Sequence, residues 1–265
     1  MIENSNRKSD ELNLRELFFL ILDKKFFVIG FTAATLIISI LYALFLPNIY
    51  TSTSILAPSS EEDTLSGSIG KYSGLAGFAG INLPTEPISK SEEAIQRIKS
   101  FDFFKNFFLP NINLEDLLAV KSWNHENDEL IYNEKIYDNS SKKWIRKVSY
   151  PKKIIPSQQE AYIDGYLNLL NISTDNDTGF VSISIRHHSP QIAKKWVEII
   201  IYNINESMRN IDKKNAKNSI TFLNDLAKET NIQSLKEVIS NILASQMQTL
   251  MLASSNEAYV FKIID

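Results

Sequence analysis

The 265-residue sequence contains no cysteine. Disulfides, thiolate metal sites and cysteine nucleophiles are thereby excluded. It has no strong excess of charge: 28 basic and 31 acidic residues leave a net charge of -3, so no polyanionic partner such as nucleic acid is expected. Histidine is scarce at three residues. Glycine and proline number eight each, and neither occurs from Gln191 to the end, so that stretch lacks the usual chain breakers. An apolar fraction of 44% and a charged fraction of 22% suit a folded chain with a core.

One stretch lacks charge altogether. Phe26 to Leu46 reads FFVIGFTAATLIISILYALFL. At about 1.5 Å per residue it makes a helix of about 31 Å, the thickness of a bilayer core. It is apolar all round, unlike a helix with one buried face. Large side chains at Leu44-Phe45-Leu46-Pro47 speak against signal-peptide cleavage. Lys24 and Lys25 abut its start, with Arg7, Lys8 and Arg15 upstream, and the next basic residue beyond its end is Lys71. This asymmetry predicts a cytoplasmic N-terminus, with Pro47 onward across the membrane. Leu14 to Leu22 suggests a short interfacial helix leading in.

Beyond the span, Tyr50 to Leu56 predicts a strand. Ser59 to Gly80 has the composition of a flexible loop. Ser91 to Phe108 and Gln158 to Leu170 carry helical patterns, and Asn111 to Lys153, with Trp123 and Trp144, is loosely patterned. Thr174 to Gly179 is turn chemistry leading into Phe180 to Arg186, whose period of two predicts a half-buried strand. Ser189 can cap a helix and Pro190 suits its first turn. From Gln191, apolar residues step by three or four through Ala193, Val197, Ile200, Ile204, Met208 and Ile211. They thin over Asn210 to Ser219 and resume at Ile220, Leu223 and Leu226. This predicts one helix to about Glu229, roughly 60 Å long, an exposed rod rather than a broken helix. A second helical pattern spans Ile232 to Leu250, and Tyr259 to Ile264 predicts a final strand.

No stretch carries the pattern of a catalytic site. Gly67-Ser-Ile-Gly70-Lys71-Tyr72 lacks both the spacing and the Ser/Thr of a phosphate loop. His187 and His188, adjacent at a strand end, point to opposite faces and read as solvated residues rather than metal ligands; His125 is remote. Glu61-Glu62-Asp63 and Asp175/Asp177 lie in a charged loop and a turn without apolar framing. No G-x-S-x-G accompanies a serine. Catalytic, cofactor and metal residues are therefore expected to be absent. Lys213, Lys214 and Lys217 cluster in the thin middle of the long helix, where a solvated surface is the plainer reading than a glycan contact.

Five segments in order resemble the polysaccharide co-polymerases, the chain-length determinant (Wzz-type) proteins of bacterial inner membranes. They are the span with Leu46-Pro47 and Tyr50; GLAGFAGINLP of Gly74 to Pro84, with Gly74, Gly77 and Gly80; TGFVSISIRHHSP of Thr178 to Pro190; SITFLNDLAKET of Ser219 to Thr230; and YVFKIID of Tyr259 to Asp265. The resemblance implies an α+β fold. Its parts would be a cytoplasmic segment (1–25), a transmembrane helix (26–46), a periplasmic membrane-proximal base (47–189), a long helical rod with its return helix (190–253), and a last strand (254–265). In the family a Pro-rich stretch and a second transmembrane helix follow that strand, and this sequence stops before them. The resemblance further implies a homo-oligomer in the inner membrane. With a polymerase acting on undecaprenyl-linked repeats, it would set the length of O-antigen or a related polysaccharide. The residues singled out on this basis are Lys24, Lys25, Pro47, Tyr50, Gly74, Gly77, Gly80, Ser189 and Pro190. Two alternatives stay open: a capsule or exopolysaccharide co-polymerase activating a tyrosine kinase, and the sensor domain of a membrane receptor.

Overall fold

A computed structural model describes residues 23–44, 46–59, 89–255 and 258–265. The chain falls into two compact units, Met1–Pro47 and Asn48–Asp265. The predicted interfacial helix, the glycine-rich loop with Gly74, Gly77 and Gly80, and the Glu61 cluster lie outside the described residues.

In the first unit, helix α1 (Lys25–Leu44) is 20 residues long and none of its residues is buried. Its two threonines return their hydroxyls to the backbone: Thr32 Oγ1 donates to the Val28 carbonyl at 2.9 Å and Thr35 Oγ1 to that of Phe31 at 3.0 Å. Both threonine hydroxyls are thereby satisfied within the helix itself. The helix stops short of the predicted Leu46. Pro47 has no N–H to offer, its ring would clash with the Ala43 carbonyl, and it disfavours helical backbone at Leu46. The Leu46 amide instead closes a tighter turn on Ala43 at 3.3 Å.

The second unit is a mixed α+β fold. β1 (Tyr50–Pro58) precedes α2 (Lys90–Ile98), which opens on a reciprocal cap between Ser89 and Glu92. The single helix predicted from Ser91 to Phe108 is interrupted. The Ser100 hydroxyl accepts from the Phe103 amide at 3.2 Å and starts a new helix, α3 (Phe101–Phe103), that widens into a π turn over Phe104–Phe108. After α4 (Leu114–Leu118) come two small antiparallel ribbons, β2 (Val120–Asn124) with β3 (Glu129–Tyr132) and β4 (Tyr137–Asp138) with β5 (Lys143–Trp144). The stretch Gln158–Leu169 is helical in three pieces: α5 (Gln158–Glu160), a π turn (Ala161–Tyr166) and α6 (Leu167–Leu169).

Strand β6 (Leu170–Thr174) was hidden, because its apolar residues also continue the preceding helical pattern. It pairs with β7 (Val181–His187), and Gly179 at φ +71° makes the turn between them. The Asp175 carboxylate accepts the Asp177 and Thr178 amides there, which holds its pKa below the usual carboxylate range. α7 (Pro190–Glu229) is one continuous helix of 40 residues, and α8 (Gln233–Ser255) packs back along it. The last strand, β8 (Phe261–Ile263), is shorter than predicted.

The main sheet is ordered β6-β7-β1-β8, all neighbours antiparallel. Along β7 the buried residues Val181, Ile183, Ile185 and His187 alternate with more exposed ones, so one face of the sheet is covered. The first half of α7 covers it with Trp196, Val197, Ile200, Ile204 and Met208. An aromatic cluster closes the core beside it. Phe108 packs on Tyr166 and Trp196 with ring centres 4.7 and 5.6 Å apart, and the buried Tyr166 hydroxyl donates to the Ile98 carbonyl at 2.9 Å.

Candidate functional site

The long helix is tied to the closing strand at two levels. At the first, Asn205 lies on the buried face among Ile201, Ile204 and Met208. Its Oδ1 accepts the amides of Val260 and Phe261 at 2.8 and 2.9 Å, and its Nδ2 donates to the Phe261 carbonyl at 3.0 Å. One side chain thus satisfies three backbone groups that a short edge strand leaves unpaired. At the second, two turns further along α7, Asp212 accepts from Lys90 Nζ at 2.8 Å and from the Tyr259 hydroxyl at 2.5 Å. Lys90 also lies over the Tyr259 ring, 4.6 Å from its centre. The apolar-poor middle of the helix is therefore where a polar triad joins α2, α7 and the C-terminal segment. Asp265 completes the closure, its carbonyl accepting from Ser54 Oγ and the Ile55 amide at 2.8 Å each.

Alongside this tie, α7 and β8 flank an open groove of about 820 Å³. Glu198, Tyr202, Glu206 and Arg209 line it from the helix, and Phe261 and Ile263 from the strand. Tyr202 is 67% and Ile263 55% exposed. β8 has a strand neighbour on one side only; on the other, Asn205 pairs with the Phe261 amide and carbonyl, and Ile263 beyond it has no strand partner.

Several of the residues singled out from sequence meet at the opposite end of β1. Tyr50 opens that strand, pairs with His187 and meets the Trp123 ring edge-on at 5.6 Å. Ser189 caps α7 by accepting the Ile192 amide, and Pro190 is the first helical residue. Lys24 and Lys25 stand exposed at the start of α1, and Pro47 lies in the connection after it.

The solvated reading of the histidine pair is corrected for His187, which is buried. Its Nδ1 accepts the Ser189 amide at 3.0 Å, so the ring proton sits on Nε2, which donates to the Asp116 carbonyl at 3.0 Å. Burial pushes its pKa down. His187 is a neutral brace between β7, the start of α7 and α4. Its outward neighbour His188 reaches the Asn48 carbonyl at 3.1 Å. Among the described residues no group of His, Asp and Glu is placed to hold a metal ion.

A second cleft, about 840 Å³, lies between the β4–β5 ribbon and the 158–169 helix, with Trp144, Arg146, Lys152, Glu160 and Asp164 in its wall. Arg146 and Glu160 pair there with only about a tenth of each side chain exposed. The guanidinium holds the Glu160 carboxyl below, and the carboxylate holds Arg146 above, its usual pKa.

Sequence reasoning passed over Asn205, the Lys90–Asp212–Tyr259 triad and the Arg146–Glu160 pair. Asn205 alone left a trace, as a polar residue four after Ile201 and three before Met208 on an apolar stripe.

The described residues define a mixed helix-and-strand protein with one helix long and apolar enough to cross a membrane, a second helix of 40 residues, and an open groove beside it. Residues 10–108 match the family described as chain length determinant protein, Wzz, consistent with a polysaccharide co-polymerase of that type. Proteins of this family are membrane-associated and act in polysaccharide chain-length determination. The chain matches no curated protein.

Proposed function

We propose that this protein is a non-enzymatic regulator of surface-polysaccharide length, O-antigen being the first candidate. It acts as a homo-oligomer beside an inner-membrane polymerase that extends undecaprenyl-linked repeats. The family match over residues 10–108 carries this reading. In it, α1 anchors the chain, the lysines at 24 and 25 stay cytoplasmic, and residues from Pro47 onward lie in the periplasm as a base (47–189), a helical rod (190–253) and a closing strand (254–265).

The fold supports an assembly role in a specific way. The groove beside α7 presents an exposed Tyr202 next to an exposed Ile263 of β8, a surface that a second copy of the chain can cover. Chain length is then set by the geometry of the assembly rather than by chemistry in any one subunit. Deleting the gene tests this. The ladder of polysaccharide lengths on the cell surface should lose its modal cluster and broaden, and restoring the gene should bring the cluster back. An unchanged ladder rejects the proposal.

A further inference from the structure

Residues 139–159 hold six of the chain's 28 basic side chains and none of its 31 acidic ones, although the whole chain is net acidic. Arg146 is spent internally. Besides Glu160 it donates Nε to the Ile154 carbonyl at 2.8 Å and a terminal nitrogen to that of Lys153 at 2.5 Å. It thereby closes 147–152 into a projecting loop, turned by the Lys152 amide on the Ser149 carbonyl at 3.0 Å. Lys152 leans back on Asp164 at 3.0 Å. Lys142, Lys143, Lys147 and Lys153 are exposed and form no ion pair among the described residues.

Between these lysines stand apolar side chains that nothing covers. Tyr150 at the loop tip is 98% exposed, and Ile154 and Ile155 are 58% and 64% exposed. Aliphatic and aromatic tips set among unpaired lysines match the headgroup boundary of an anionic bilayer. The chains enter the apolar edge and the ammonium groups meet phosphates. A hydrophilic glycan would satisfy the lysines but leave Tyr150, Ile154 and Ile155 in water.

A bilayer is available to this chain through α1. Within the second unit a path of ring contacts joins the loop to the first residues after the anchor's sequence. Tyr50 meets Trp123, which shares the β2–β3 hairpin with Tyr132. Tyr132 meets Tyr137 at 5.2 Å, and Tyr137 meets Trp144 at 5.3 Å. We infer that the 142–155 loop is a second membrane contact, docking its Tyr150 tip and lysines on an anionic lipid surface.

The absence of cysteine makes this directly measurable. The whole chain carrying Tyr150→Cys, labelled with an environment-sensitive fluorophore, is reconstituted in vesicles of phosphatidylcholine alone or with phosphatidylglycerol, each containing a trace of spin-labelled lipid. Tyr150 is almost fully exposed, so the variant leaves packing untouched. The label should shift to the blue and be quenched in the anionic vesicles. Lys147→Gln with Lys153→Gln should lower the docked-to-free ratio roughly thirtyfold. A label at the exposed Asn218→Cys should stay water-like in both. Water-like emission at 150 in both lipids overturns the inference, as does an equal response at 218. A shift at 150 produced by soluble polygalacturonate and indifferent to lipid charge also overturns it, in favour of an anionic glycan. The length ladder is read separately, so failure here leaves the proposed function standing.

Discussion

Asn205 and Phe261 exchange hydrogen bonds in both directions, amide nitrogen to carbonyl at 3.0 Å and backbone amide to side-chain oxygen at 2.9 Å. Fifty-six residues apart in sequence, they fix the closing strand to the long helix in a buried setting. The same Asn205 oxygen takes the Val260 amide, so the side chain stands in for a strand neighbour that β8 lacks on that side.

Replacing Asn205 by alanine should therefore strand two buried amides and a carbonyl. The expected loss is about 2–4 kcal/mol of stability. Chemical denaturation of the detergent-solubilised protein reads it, and hydrogen exchange should show the greatest loss of protection at Val260 and Phe261.

His187 predicts a pH dependence. Its folded pKa lies below the ordinary value of about 6.5, so the unfolded chain binds more protons just below that pH. Stability should be fully developed above about pH 6.5 and fall as pH drops toward the depressed folded value. Protonation would place an N–H on Nδ1 facing the Ser189 amide, two donors with no acceptor between them. His187→Gln, which keeps one donor and one acceptor, should flatten this slope in denaturation curves collected across pH 5 to 8.

The Arg146–Glu160 pair should act in a lower window. Glu160 has its carboxyl pKa depressed mainly by the Arg146 hydrogen bond, so its contribution is present above about pH 4.3 and is lost as pH falls further, through the folded value. Glu160→Leu leaves the guanidinium without its carboxylate in a mostly buried place and should cost about 3 kcal/mol locally. Faster tryptic cleavage at Lys147, Lys152 and Lys153 is the expected readout, because Arg146 also holds the Lys153 and Ile154 carbonyls.

Tyr202 tests the assembly surface. Two-thirds of it is exposed, so Tyr202→Glu should leave the thermal transition within about 0.5 kcal/mol of the parent. If subunits meet across the groove, a buried unpaired carboxylate there should shift the detergent-solubilised protein to smaller species in light scattering.

The sequence was most legible where one physical signal stood alone. The charge-free run could be little but a membrane-length helix, and only Pro47 trimmed its end. The absence of Gly and Pro after Gln191, with three-and-four spacing, marked α7 through its apolar-poor middle. What hides there is that polar residues also bind elements together: Asp212 draws in Lys90 and Tyr259 from 122 and 47 positions away, which no local pattern encodes. β6 was missed because a half-exposed edge strand and a helix end share the same few apolar residues. His187 was misjudged because its ring partners are Asp116, 71 positions away, and Trp196 on the following helix, contacts that only the folded chain brings together.

The most direct test of length control is a polymerase reaction on undecaprenyl-linked repeats in reconstituted membranes, with and without this protein. Added protein should gather the products into a modal length band while total sugar incorporation stays the same, and protein without polymerase should neither build nor cleave polymer. An unchanged length distribution, or polymer made or cut by the protein alone, would contradict the account.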